Sequence, residues 1–369
     1  MQRTPEFSHS LSKWFRSLPF PLLRNLSILM MVGVIFIHSA TFRTGEDFAA
    51  RQMVWLLIGF FCLFLTVQVG YRFFLSVSYF LYLLFFVCLI WVSLWGEIRL
   101  GAQRWIQIGS FSFQPSEFAK LGVVLALAHF LGSRNPWEGE AKVLGLTALI
   151  AGVPFLLIMK QPDLGTALVF LPLVVALLLV WGIRYRYLIS TCLAGILVSP
   201  LLWFLLKSYQ KKRILVFLNP NLDPLGAGYT AIQSRIAVGS GGLFGKGWLH
   251  GTQSQLNFIP EHHTDFIFSV IGEELGFLGS CLLLFLYGTL FYHMLEILQR
   301  TTDIKGRLVA AGVLSVLFFQ VLINMGMTFG LFPITGITLP FISYGGSSLL
   351  ANCIGIGLLV SVHKERSIF

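Results

Sequence analysis

Between Asn257 and Glu274 the sequence reads NFIPEHHTDFIFSVIGEE, a polar stretch that runs directly into an apolar one. Glu261, His262, His263 and Asp265 fall at the junction, and Glu273 and Glu274 lie about two helical turns deeper. Ionisable side chains at membrane depth are costly to hold and by default suggest function. Asp265 has the setting of a general base, because desolvation raises a carboxyl pKa towards the working range while a nearby Arg or Lys keeps it ionised. Its competing role is to cap the helix that follows. His263 is placed to orient Asp265 or to touch a phosphate. His250 and the adjacent His262 and His263 show no chelating spacing, so zinc is not expected.

Other stretches carry further candidates. Arg104 and Trp105 precede Gln114, Pro115, Ser116 and Glu117, with Lys120 one turn further along. Pro115 and Ser116 suit a helix start, which puts Glu117 and Lys120 on one helix face, either as an internal ion pair or as groups that handle substrate charge. Trp105 also fits an interfacial anchor. In Gln161 to Thr166, Asp163 is either a helix cap or a catalytic residue, and Lys160 beside it either attracts an anion or snorkels. The 207–264 segment opens with Lys207, Lys211, Lys212 and Arg213 and continues with an interfacial helix predicted at 231–238. Its glycines at 239, 241, 242, 245, 247 and 251 let backbone approach a ligand closely. Such a loop suits a phosphate-bearing lipid, or else is a solvated basic loop drawn to anionic head groups. GSGGLFGKG is not a P-loop, since Ser240 stands where the first motif glycine belongs and Gly247 follows Lys246. Gly326 and Gly330 have GxxxG spacing, which predicts close helix packing. Pro333 to Ser348 is charge-free and rich in Pro, Gly and hydroxyls, and reads as a cavity wall.

These residues need elements to hold them. The chain of 369 residues is 56% hydrophobic and 11% charged with mean hydropathy +0.79, which excludes a water-soluble multi-domain protein. Its apolar runs are each long enough to cross about 30 Å of hydrocarbon as a helix. The expected architecture is an all-α polytopic membrane protein, a single integral-membrane domain over 1–369. Spans are expected near 26–42, 52–69, 73–95, 116–132, 143–159, 164–182, 187–206, 266–294, 308–330 and 345–362. The net charge of +10 resides mostly in short loops, so it sets topology and implies no nucleic-acid partner. With residues 1–24 cytoplasmic, that side's short loops carry fourteen Lys and Arg against five opposite, which places the 363–369 tail inside as well. The Gly-, Pro- and polar-rich loops then all face outward, including the large loop 207–264 between helices 7 and 8. Without ATP on that face, a synthetic reaction needs a substrate that carries its own leaving group. All five cysteines sit in apolar runs without disulfide or metal spacing.

The motifs also carry a resemblance. GAQRW (101–105), FQPSE with Lys120, QPDLGT (161–166), DPLGAGY (223–229), GKGWLHGTQSQ (245–255), HTDFIF (263–268), EELG (273–276) and the TGITLPFISYGGSS tail together resemble the SEDS family of bacterial cell-wall proteins, and within it the RodA-type elongation branch. The resemblance implies a ten-helix peptidoglycan glycosyltransferase that polymerises lipid II at the outer face of the cytoplasmic membrane. It matches Asp265 to the family's essential aspartate, and Trp105, Glu117, Lys120, Asp163 and Ser343 to residues implicated in activity. It implies as partners a class B penicillin-binding protein and other proteins of the elongation complex. In the expected mechanism Asp265 deprotonates the acceptor hydroxyl. Lys120, Arg104 and Arg213, or a divalent cation such as Mg or Mn held by carboxylates, offset the charge of the departing pyrophosphate. Two rival classes remain open at this point: a lipid II flippase, and a non-enzymatic scaffold for the transpeptidase.

Overall fold

The computed structural model describes residues 18–43, 45–99, 102–109, 111–135, 139–190, 193, 197, 204, 208–224 and 226–366. Most of the span expected at 187–206, and most of the N-terminal segment, lie outside these residues. The helices are α1 (Phe20–Thr41), α2 (Phe48–Val69), α3 (Tyr71–Ser76), α4 (Ser78–Trp95), α5 (Pro115–Gly132), α6 (Glu140–Lys160) and α7 (Leu164–Trp181). They continue with α8 (Ser208–Leu218), α9 (Ala227–Ser240), α10 (Thr252–Gln255), α11 (Ile267–Arg300), α12 (Ile304–Phe329) and α13 (Gly346–Arg366). Among the described residues eight are long and apolar enough to cross a membrane: α1, α2, α4, α6, α7, α11, α12 and α13. The chain is a multi-pass membrane protein.

The interior is built around α5 and α12. α5 packs against α4, α6, α7, α12 and α13, and buries all but four of its eighteen residues. The polar residues of α5 therefore face protein, not lipid. The outer helices show the opposite distribution: Phe80, Leu83, Val87, Trp91 and Leu94 of α4 are all exposed. An apolar face without a protein partner is what hydrocarbon solvates.

Three connections differ from expectation. The 96–115 stretch, expected as a loop, is a three-stranded antiparallel meander of β1 (Glu97–Arg99), β2 (Ala102–Ile108) and β3 (Phe111–Phe113), so the all-α expectation holds for the bundle but not here. Its alternation of Trp105, Gln107 and their neighbours between glycines is a strand signal. The helix expected at 231–238 is part of α9, which packs on α11 and α12, with the Ser234 hydroxyl 2.8 Å from that of Ser269. Gly326 and Gly330 form no helix–helix seam. Gly326 leaves room for the Phe332 ring, and Gly330 ends α12 in the left-handed region at φ +77°.

The glycines of 241–247 serve the protein itself. α11 breaks at Gly276 (φ 65°, ψ −157°), which interrupts its hydrogen-bond ladder. The loop repairs the interruption. Lys246 and Gly247 donate their backbone N–H to the Glu273 and Glu274 carbonyls (3.0 Å each), and Phe277 and Leu278 donate to the Gly242 and Leu243 carbonyls (2.8 and 3.1 Å). A Cβ on Gly276 would run into the Gly245 nitrogen, whereas Gly288 on the same helix faces open space. Gly276→Ala is therefore expected to cost about 2–4 kcal/mol. Gly288→Ala is expected to be neutral or to add up to about 1 kcal/mol. Thermal melts of the two variants in detergent check the contrast, and equal melting temperatures would contradict the splice.

Candidate active site

Asp265 lies in the turn that leads into α11, with its backbone N–H donated to the Glu261 carbonyl (3.1 Å). The N-cap of α11 is Phe266, without any side-chain cap, so Asp265 does not have the capping role. No described residue donates a hydrogen bond to its carboxylate. Two buried amides or hydroxyls hold the backbone around it instead. Asn324 of α12, fully buried, donates from Nδ2 to the carbonyls of both Asp265 (2.8 Å) and Ile337 (2.6 Å). Ser343 donates its hydroxyl to the Thr264 carbonyl and accepts from the Leu339 N–H (2.8 Å), and the Tyr344 N–H reaches the His263 carbonyl (3.0 Å). The tail segment 333–345 thus clamps the Asp265 turn. Ser343, expected among the substrate-binding residues, sits in that clamp.

The side chain of Asp265 is half-buried, with protein packed closely enough around it to strip much of its hydration. Burial pushes its carboxyl up to about 7; the negative Glu261 and Asp163 add to the rise, and Arg104 and Arg213 oppose it. Gly336, at φ +72°, brings the tail backbone in beside both groups: a Cβ there would lie 3.3 Å from Asp265 Oδ2 and 3.7 Å from Arg104 Nη1. Acid and guanidinium therefore flank one glycine.

Arg104 is carried by β2 and fixed from below. Its Nη1 lies 3.6 Å from Asp163 Oδ1, and its Nη2 donates to the Pro162 carbonyl. Asp163, 1% exposed, also accepts from the Thr166 N–H (3.3 Å) and from Gln114 Nε2 (3.4 Å). It caps α7 and aims Arg104 at once. The Glu117–Lys120 pair is sealed: Lys120 Nζ lies 3.0 Å from both Glu117 oxygens, with the two residues 5% and 2% exposed. Lys120 is therefore already neutralised, unlike the expected counter-charge for a pyrophosphate. Trp105 is half-buried on β2, where it pairs with Glu97.

Several acids and histidines at the junction are structural. Glu273 accepts from Lys246 Nζ (2.7 Å) and from the N–H groups of Gln253 (2.9 Å) and Ser254 (3.2 Å), and Glu274 accepts from the Ser39 hydroxyl (2.6 Å). His262 faces the Ile259 and Ala40 carbonyls. The His263 ring stacks on Phe48 with centroids 4.6 Å apart, and burial lowers its pKa; it does not reach the Asp265 carboxylate as a partner. Arg213 lines a cleft with Arg235, Phe332 and Pro333 at the end of α12. Among the described residues no group of three or more His, Cys, Asp or Glu is arranged to hold a metal, and the Asp163 carboxylate is already engaged by Arg104, Thr166 and Gln114. Sequence reasoning assigned no role to Asn324, Gln114 or Gly336; a lone buried amide inside an apolar run was the available signal for the first.

The sealed pair makes a stability prediction. Lys120→Met, which strands a buried carboxylate, is expected to cost about 3–5 kcal/mol, and the double variant Glu117→Gln, Lys120→Met to recover most of it. Thermal melts in detergent check this, and an unchanged melt for Lys120→Met would contradict a sealed pair.

Comparison with known proteins places this geometry in a family. A family model described as the cell cycle protein FtsW/RodA/SpoVE matches residues 20–368. The peptidoglycan glycosyltransferase MrdB of Escherichia coli (strain K12) is 40% identical over 348 residues, which cover 94% of this chain and 93% of that protein. A chain of the structure described as "Structural coordination of polymerization and crosslinking by a peptidoglycan synthase complex" is similar at TM-score 0.82 and 37% identity, covering 95% of this chain and 98% of its own. The Thermus thermophilus rod shape determining protein RodA is similar at TM-score 0.72 and 32% identity, covering 95% and 97%. The match extends over almost the whole length in both sequence and fold, as the motif resemblance led one to expect, and the chain belongs to the FtsW/RodA/SpoVE family.

Proposed function

We propose that the chain is a peptidoglycan glycosyltransferase of cell elongation that polymerises lipid II at the outer face of the cytoplasmic membrane, with Asp265 as general base. The observation that carries this reading is the half-buried Asp265 carboxyl, poised near neutrality beside Arg104. A base whose pKa matches the working pH is the most effective proton acceptor, worth about 10² to 10⁴ in rate. Asp265 takes the proton from an acceptor sugar hydroxyl as the oxygen attacks the anomeric carbon of the donor. The bond from that carbon to the lipid-linked pyrophosphate breaks, and undecaprenyl pyrophosphate leaves with the electron pair. No ATP is required, because the substrate carries its own leaving group.

Arg104, beside Asp265 at Gly336, and Arg213, whose charge also acts on that carboxyl, supply positive charge, and we assign them to the developing charge of the pyrophosphate. Arg104 and Trp105 are consecutive on one short strand, so their side chains leave on opposite faces and Arg104 is the one assigned to the Asp265 side. His263 and Ser343 act through the shape of the Asp265 turn. Both termini are assigned to the cytoplasm, on the distribution of Lys and Arg among the short loops, so that the 207–264 loop and Asp265 are extracytoplasmic. The similar chain solved within a peptidoglycan synthase complex supports a crosslinking partner, which we take to be a class B penicillin-binding protein within the elongation machinery.

Purified protein given labelled lipid II in detergent is expected to make polymer, and Asp265→Asn to make none while melting no lower than the parent and keeping partner binding. Polymer from Asp265→Asn would refute the base. Leaflet transfer without polymer in vesicles would identify a flippase, and neither activity would identify a scaffold. The rate is also expected to rise with pH through about 7, because the base must be ionised. Glu261→Gln removes a negative neighbour and is expected to move this limb to lower pH, and Arg104→Gln to higher pH. Since the folded carboxyl titrates above its ordinary value of 3.8, Asp265 makes the fold less stable as pH rises from about 4 to about 7. An unshifted limb in both variants would remove Asp265 as the titrating group.

A further inference from the structure

The splice at Gly276 fixes where the loop 241–248 sits relative to the membrane. α11 crosses the bilayer, and from Phe277 to Leu295 it runs nineteen residues without Asp, Glu, Lys or Arg. About 20 residues span the hydrocarbon layer, so Gly276 lies at one edge of that layer. The loop is tied to this level by its backbone, through Phe277 N–H to the Gly242 carbonyl and Leu278 N–H to the Leu243 carbonyl.

Its side chains divide by polarity. Leu243 and Phe244 point outward, 63% and 78% exposed. The one charged residue, Lys246, turns inward to the fully buried Glu273 carboxylate (2.7 Å) and the Thr252 hydroxyl (2.8 Å). The exposed tip adjoins Phe277 and Leu278 of α11, themselves 60% and 53% exposed, and so continues the lipid-facing surface of a membrane-spanning helix. Trp248, half exposed, follows at the position where an aromatic ring marks the headgroup boundary. A loop that displayed only Leu and Phe to water would be an odd use of a polar segment. Non-helical backbone at this depth is tolerated because its polar groups are paired with the helix break.

We infer that residues 241–248 form a re-entrant anchor whose tip, Leu243 and Phe244, is seated among phospholipid acyl chains beside Phe277 and Leu278. Through Lys246, Glu273 and the 252–254 backbone the anchor is rigidly joined to the segment that leads to Asp265, and so sets the depth at which that segment is held. The inference depends on α11 spanning the membrane and is independent of the chemistry assigned to Asp265.

The test uses the unaltered full chain, reconstituted alone into phosphatidylcholine–phosphatidylglycerol vesicles that contain a phospholipid with a diazirine near the middle of its acyl chain. After illumination and proteolysis, adducts on the 241–248 peptide are expected within about threefold of the yield on lipid-facing 277–285. Adducts on 277–285 but none on 241–248 overturn the inference, whether water or another copy of the chain covers the tip. As a second measurement, Phe244→Asp is expected to lower the 241–248 yield several-fold with 277–285 unchanged, and an unchanged yield at 241–248 would equally overturn it. Polymer formation read in the same vesicles separates this outcome from the fate of the proposed function.

Discussion

No water is available inside a hydrocarbon layer, so every stretch of chain that leaves the helical ladder near the membrane must find its hydrogen-bond partners within the protein. Three connecting segments meet that requirement within the fold. The 241–247 loop pairs with the broken α11, the tail 333–345 pairs with the Asp265 turn, and Gln255 together with His262 faces the last carbonyls of α1 at Ser39 and Ala40. The site is what these pairings enclose.

This economy explains why so few of the polar groups near Asp265 are chemical. Glu273, Glu274 and His262 are consumed in tying the long loop to α1 and α11, and Glu117 and Lys120 in neutralising each other. Among the described residues none donates to the Asp265 carboxylate, and burial in that crowded setting raises its pKa. Arg104 is kept directional by Asp163, which is in turn oriented by Thr166 and Gln114.

The bundle was legible because length and apolarity suffice to specify a membrane helix, and the α5 start was legible from Pro115 and Ser116. Asp265 stood out as a candidate because an ionisable group at a membrane edge is costly to hold, but the same signal marked Glu273 and Glu274, which the fold uses structurally. The sheet carrying Arg104 was hidden by its short strands, although glycines at 96 and 109 and the alternation between them were present. The glycines of 241–247 misled for a physical reason: permissive backbone signals close approach, but not whether a ligand or another part of the chain does the approaching. Asn324 and Gly336 owe their importance to partners some sixty to seventy residues or more away in sequence, and no local pattern announces that.

Gly336 has a consequence of its own. By lacking a side chain it lets the tail backbone close on acid and guanidinium at once: a Cβ there would come within 3.3 Å of Asp265 Oδ2, tighter than ordinary contact, and 3.7 Å of Arg104 Nη1. At φ +72° any larger residue would also strain the chain, so the nearness of the tail to both charges rests on this one glycine.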